Sequence, residues 1–377
     1  MTIHSVALTG LAAAILIAPA AGYSQQAALP AQDRPLRADG APAFAVSAGE
    51  PVDAAFDASE NLYVLDRRAR AVAVYDRTGR PLRQVAGTGS LSAPVALAVT
   101  TGGAVVVLDV ERGLVVFGAD GRVSGTFPVA GLDPHHTRGV LYAHPERGVV
   151  VGARPAGADE TPRGHPLRTS TALAWNRLDG TPSRELRIAR AQAAAAPAQM
   201  QSGGVRMTTL IRAVFSPDVR WAVLPDGRIA VAESEEYRVT LAGPTGQPRV
   251  FTRPLRPRAV SAADRERFQA SRAPAAGAGR PAPPGSMTMT GSAPFASVMP
   301  VIQRLAADPA GRLWIQRAGS VWGQHGRIDV VRADGTYLGT LPAGPMPVAF
   351  SRGGLAAYID GARVRVQRLP AALPAQR

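Results

Sequence analysis

Internal self-similarity constrains this chain more than any other feature. Residues 60–86 read ENLYVLDRRARAVAVYDRTGRPLRQVA, and residues 102–127 read GGAVVVLDVERGLVVFGADGRVSGTF. Each runs through a turn, an apolar strand closing on Leu-Asp, a second turn, a strand closing on an aromatic, a polar-Gly turn and a third strand. Asp66 and Asp109 fall at equivalent places about 43 residues apart, the spacing of a four-stranded propeller blade. One blade cannot bury both of its faces alone, so the copies must stack into a ring.

The same grammar returns further on. Within residues 217–251, PDGRIAVAESEEYRVTLAGPTGQPRVF follows an inner strand, VRWAV; residues 309–341 repeat it, and Gly354 opens a last partial copy about 43 residues after Gly311. A degenerate copy occupies 130–210. Asp-Gly at 120–121, 179–180, 226–227 and 334–335, with Thr-Gly at 78–79 and 245–246, supplies the positive-φ residue that tight hairpins demand. The last copy shows three strands, near 347–350, 355–359 and 364–369, and residues 39–49 (DGAPAFAVSAG) supply the fourth. Joining them removes an exposed edge. The expected fold is an all-β, six-bladed β-propeller of four-stranded antiparallel blades, its ring closed between N- and C-terminal strands. Seven blades is the alternative.

Leu62-Tyr63-Val64-Leu65-Asp66, then Val72-Ala73-Val74-Tyr75-Asp76 and Gly79, resemble an NHL repeat. The whole chain is similar to the six-bladed TolB-like propellers. The resemblance is sharp in the first two copies and departs from the pattern over 130–210. It implies a shape that lactonases, lyases, peptide-amidating enzymes and pure binding scaffolds share, so the fold does not select an activity.

The ring needs only part of the chain. Residues 1–23 read as a secretory signal: an apolar stretch at 6–18, then small residues around Ala18-Pro19-Ala20 and Ala20-Ala21-Gly22, with no Lys or Arg before them. A buried N-terminal strand or helix is the other reading. Residues 24–38 are polar and Pro-bearing, a flexible leader; 39–370 are the propeller; 371–377 are a tail. Insertions fall near 153–170, a long loop; near 189–206, a short helix broken at Pro197 or a disordered run; and over 259–293. There Ser261 and Asp264 form a capping-box pattern before a short helix that dissolves into loop. Export predicts a secreted or periplasmic, soluble monomer without a transmembrane anchor.

Chemistry is sparse. The chain has no Cys and no Lys, which excludes disulfides, Cys-ligated zinc, thiol nucleophiles, the P-loop and Schiff-base catalysis. Gly-x-Ser-x-Gly and His-Glu-x-x-His are absent. Asp57-x-Ser59-x-Asn61 starts like a calcium loop, but Leu62 stands where Gly is required and Arg68 where the bidentate Glu belongs. His135, His136 and His144 cluster beside Asp133 and are the metal candidates, although their spacing matches no recognised site. No cofactor is assigned.

A net charge of +14, carried by Arg, attracts anionic partners. The arginines are not interleaved with aromatics as base stacking requires, so nucleic acid is not expected. Arg253, Arg256 and Arg258 form the candidate anion- or partner-binding group. Asp66 and Asp109 are expected to cap turns, and Trp221, Tyr237 and Trp314 to fill the blades. The leading expectation is a non-enzymatic scaffold that binds a protein, peptide or glycan of the cell envelope on one face. The alternative is a lactonase- or lyase-type enzyme with a divalent metal in the central channel.

Overall fold

The computed structural model describes residues 25–38, 40–86, 89–129, 141–145, 148–153, 168–179, 184–192, 195–202, 205–232, 234–243, 247–272, 288–290 and 294–373. Six four-stranded antiparallel units form the ring. From inner to outer strand, blade 1 is Pro51–Phe56, Leu62–Asp66, Ala71–Tyr75 and Pro81–Val85. Blade 2 is Pro94–Val99, Val105–Asp109, Gly113–Phe117 and Val123–Phe127. Blade 3 begins at Leu141–His144, blade 4 at Arg220–Val223, blade 5 at Ile302–Ala307 and blade 6 at Ala349–Phe350.

Blade 6 takes its outer strand, Pro42–Ser47, from the N-terminal side, antiparallel to Arg363–Arg368, as the sequence predicts. Second strands such as Leu62–Asp66 and Val105–Asp109 are buried at every position, because each is covered by a neighbouring blade on both faces. Apolar side chains meet across blade boundaries: Leu65, Val72 and Val74 of blade 1 pack with Leu97, Val107 and Phe117 of blade 2.

One turn recurs. The first hairpins of blades 1, 2, 4, 5 and 6 place Glu60, Gly103, Gly227, Gly311 and Gly354 at positive φ, each N–H closing onto the carbonyl three residues earlier. Gly suits this conformation because it has no Cβ to clash. Glu60 is the exception, at φ 67°. Its carboxylate reaches blade 6, where it accepts from Gly353 N–H at 2.6 Å and Ser351 Oγ at 3.1 Å.

Three segments differ from expectation. Residues 25–36 do not form a loose leader. Gln25–Ala28 pairs parallel with Arg249–Thr252, adding a fifth strand to blade 4. The strap then crosses to blade 5, where Thr340 N–H donates to the Arg34 carbonyl and Leu36 N–H to that of Thr340. Asp33 fastens it, accepting from Arg253 at 2.8 Å, Arg317 at 2.9 Å and Arg327 at 2.5 Å.

The described residues of 189–206 are strand rather than helix. Ala195–Ser202 and Val205–Arg212 form an antiparallel hairpin, joined by Thr288–Thr290 into a three-stranded sheet. The stretch Arg168–Arg177, partly expected as loop, is a strand of blade 3; 154–167 and residues 1–23, where a signal is expected, lie outside the described residues. The helix Ala262–Arg272 does form, with the reciprocal Ser261–Asp264 cap expected of it. No described helix is long and apolar enough to cross a membrane.

Both large insertions leave the ring at the same end, where outer strands connect to the next inner strand, and they join there. Val214 exchanges backbone hydrogen bonds with Pro294 and Ala296. Phe215 packs on Phe268, Phe295 and Trp322 at centroid distances of 5.6, 5.6 and 5.7 Å. Arg258 grips Asp264 with both nitrogens, and Trp322 N–H donates to the same carboxylate, so the helix is clamped to blade 5.

Candidate functional site in the central channel

Because the blades stand radially, the inner strands border a channel of about 2000 Å³. In blades 1, 2 and 5 the inner strand slips register between Pro51 and Asp53, Pro94 and Ala96, and Ile302 and Arg304. Such a bulge re-aims the side chain that follows it. Asp53, Arg220 and Arg304 each stand seven residues before their blade's positive-φ turn residue, at Glu60, Gly227 and Gly311. They therefore occupy one layer of the ring, and all three line the channel with Tyr142 and Trp221.

Asp53 is held by backbone from two blades: Ala54 N–H donates to Oδ1 at 2.9 Å and Leu97 N–H of blade 2 to Oδ2 at 2.8 Å. Burial raises its pKa to about 7, and the two N–H groups and the Arg304 charge offset this only in part. Tyr142, from blade 3, is pushed up to about 12 by burial and by the Asp53 charge, with Arg304 and Arg220 opposing. Its ring meets Trp221 edge-on at 4.8 Å. Arg220 Nη1 donates to Asp218 at 3.1 Å, while its Nε has no hydrogen-bond partner. One carboxyl, one phenol and two guanidiniums thus converge from four blades.

A divalent metal does not fit this layer. Among the described residues no group of three or more His, Asp or Glu converges, and the groups that act on Asp53 are a guanidinium, a neutral phenol and backbone N–H groups, none of them a further carboxylate or imidazole. His144 is buried against Trp175, with ring centroids 5.2 Å apart, and its imidazole abuts the Gly227 turn. Among the described residues no metal-donor cluster includes it, and His135 and His136 lie outside them.

The Arg253, Arg256 and Arg258 group does not assemble. Arg253 has no exposed side-chain surface; it binds Asp329 at 2.9 Å, Asp33 at 2.8 Å and the Pro30 carbonyl at 2.7 Å, and lies over the Tyr337 ring. Arg256 is exposed, and Arg258 is engaged with Asp264. Proximity in sequence misled here because the chain turns out of the blade at Thr252, sending neighbouring side chains to different surroundings.

Asp66 and Asp109 cap turns. Asp109 accepts from Ser92, Ala93, Glu111 and Arg112 N–H groups, and Asp66 from Gly49, Glu50 and Ala69. Burial raises the Asp66 carboxyl, but these N–H bonds outweigh it and hold the group below its ordinary value. Trp221, Tyr237 and Trp314 are buried as expected, and Trp221 also edges the channel.

No family model matches the chain, so the resemblance to NHL and TolB-like propellers goes no further than the residues that carry it, and no curated protein sequence matches either. Several solved structures are similar. A gluconolactonase from Xanthomonas campestris is 14% identical over 86% of this chain and 87% of its own, with a TM-score of 0.44. A streptogramin B lyase is 11% identical over 88% and 97%, at 0.42. Regucalcin of Agrobacterium tumefaciens strain C58, described as a calcium-binding protein, is 14% identical over 91% and 99%, at 0.42. The six blades and the closed ring are established by this chain's own sheets.

Proposed function

We propose that the protein works through its central channel, as an enzyme of lyase or lactone-opening type acting on a small organic substrate at the Asp53–Tyr142–Arg220–Arg304 layer. The observation that carries this reading is the convergence of those four side chains from four blades. A carboxyl that titrates near neutrality exchanges protons with a substrate at working pH. A fixed guanidinium stabilises the oxyanion of an enolate or an opening ester. Arg304 fills the second role, and the Trp221 and Tyr142 rings offer an apolar wall. Export, read from the N-terminal sequence, would put this chemistry outside the cytoplasm.

Thermal melts with a panel of lactones and β-substituted carbonyl compounds test the reading. Compounds that raise the melting temperature of the native chain and lose that effect in Arg304→Gln support it. Binders that ignore both Arg304→Gln and Asp53→Asn overturn it.

A second reading, a scaffold that holds a protein, peptide or glycan of the cell envelope on one face, draws on the joined insertions. Helix, extra sheet and the Phe215–Phe268–Phe295–Trp322 cluster make a built platform at one end of the ring. Deleting 273–287 would impair partner capture under this reading and leave channel ligands unaffected.

A further inference from the structure

We propose that the groove along the outer edge of blades 4 and 5 is a strand-docking site that also takes the strap of a second copy, so that two chains pair by exchanging residues 25–36. Such pairing goes beyond the channel reading and does not depend on it.

The groove is shaped to one sequence. Gln25–Ala28 pairs in parallel with Arg249–Thr252, and Leu29 N–H continues onto the Thr252 carbonyl at 2.8 Å. Leu29 is buried with Leu224, Phe251 and Ile302, where blades 4 and 5 meet. Arg253 Nε donates to the Pro30 carbonyl at 2.7 Å, and Asp33 accepts from Arg253, Arg317 and Arg327. Leu36 packs on the cluster that holds Trp314 and Leu341. Two glycines make room for the chain. A Cβ on Gly335 would stand 2.9 Å from Ala27 Cβ, and one on Gly339 would stand 2.6 Å from the Arg34 carbonyl oxygen. Main-chain pairing gives a site of this kind its affinity, and pockets at spaced side chains give it specificity. Leu29, Asp33 and Leu36 are the side chains read here, and a second copy carries all three in the same order.

The occupant is exchangeable because the ring is complete without it. Blade 4 has four strands of its own, and closure runs through Pro42–Ser47 and Arg363–Arg368. The strap is the last strand of its sheet, with Gln26, Ala28, Gln32 and Arg34 exposed, and Gln-Gln-Ala-Ala has little strand propensity. Its departure would leave Arg249–Thr252 as an open edge and deprive the buried Arg253 of one acidic partner. An open edge beside such a guanidinium selects a strap over an arbitrary segment.

Arg253 and Arg317 stand 220 and 284 residues along the chain from Asp33, so the contact itself does not distinguish one copy's strap from another's. Reciprocal exchange rebuilds the same bonds in both copies, at no cost in contacts. The tether is what favours the strap's own copy. Leu36 N–H bonds Thr340 and the Ala41 carbonyl accepts from Arg368 N–H, so a few residues carry the chain from blade 5 to blade 6. A short tether sets an effective concentration on the order of millimolar. Exchange is therefore minor in dilute solution and grows as the chain approaches that concentration, or as copies fold side by side.

The absence of cysteine makes exchange directly readable, and Ala28 and Thr252 are Cα partners. Chains carrying Ala28→Cys and chains carrying Thr252→Cys, unfolded together, refolded as a mixture and oxidised, should form a disulfide between positions 28 and 252 of different chains. Both substitutions in one chain, in dilute solution, should link internally. By light scattering, the native chain refolded between about 10 μM and about 1 mM should show a dimer fraction that rises about tenfold per tenfold in concentration while it is minor. Excess synthetic peptide of residues 25–36 should suppress the dimer, and about tenfold more should be needed of the peptide carrying Asp33→Ala. A monomer at every concentration overturns the proposal. So does a dimer that the peptide leaves intact, or internal linkage in the double variant without linkage between chains at any concentration. Arg304→Gln should leave the dimer unchanged, so strap exchange and the channel reading fail separately.

Discussion

Asp33 accepts a hydrogen bond from Arg253 Nη2 at 2.8 Å, tying the N-terminal strap to the outer edge of blade 4 across most of the chain. Arg253 lies wholly inside the protein and divides its donors between Asp33 and Asp329. Removing Asp33 would strand part of a buried guanidinium and release Arg317 and Arg327 as well. Asp33→Ala should destabilise the fold by about 3–5 kcal/mol in denaturant unfolding, and should open residues 25–36 to hydrogen exchange. Burial pushes the Asp33 carboxyl up, but its three arginines overcome this and hold it well below the usual carboxylate range. Its stabilising effect is therefore present above about pH 4 and fades only as pH falls into strong acid.

Asp53 has the opposite sign. Its folded pKa of about 7 lies above the ordinary value of 3.8, so the folded chain keeps a proton that the unfolded chain releases. Stability from this group is complete below about pH 4 and declines as pH rises towards 7. The difference in unfolding free energy between Asp53→Asn and the native chain should shift in favour of the variant by on the order of 1 kcal/mol per pH unit in that window. A difference that stays flat from pH 4 to 8 would contradict the raised pKa.

Glu60 combines strain with a contact. A non-Gly residue at φ 67° costs about 1 kcal/mol, while its carboxylate bonds blade 6 at Gly353 and Ser351. Glu60→Gly should change stability by less than about 1 kcal/mol, as relief and loss offset one another. Glu60→Ala keeps the strain and loses the contact, and should cost about 2 kcal/mol by the same unfolding measurement.

Asp109 is fully buried and satisfies four N–H groups in two separate turns. Asp109→Ala should cost about 3 kcal/mol or more and broaden amide signals on both sides of Ser92 and Glu111. The same change at Thr101, on an exposed turn, should cost less than about 0.5 kcal/mol.

The ring was legible in sequence because its determinants are local. Asp-Gly and Thr-Gly turns and the Ser261–Asp264 cap act within a few residues, and the Leu-Asp strand ends reach no further than the start of their own blade. The strap was not, because Gln-Gln-Ala-Ala has little strand propensity and its hold comes from Arg253, Arg317 and Arg327, far along the chain. The Ala195–Ser202 strand was hidden for the same reason: it is Ala- and Gln-rich, and one of its partners is Thr288–Thr290. The channel layer lay within reach. Aligning copies on Glu60, Gly227 and Gly311 brings Asp53, Arg220 and Arg304 into one column, a signal that no catalytic motif carries. Arg253 shows the converse, since its sequence neighbours share none of its surroundings.

The closure of blade 6 has a consequence for biosynthesis. Pro42–Ser47 is made before blades 1 to 5, yet its partner, Arg363–Arg368, follows all of them in the chain. While blades 1 to 5 are made this strand lacks its native mate, and until blades 4 and 5 emerge the Asp33 strap lacks the arginines to which it binds. The ring can fasten only once Arg363–Arg368 has emerged, so a chain stalled before Arg363 would carry an open seam available to chaperones and to other unfinished copies.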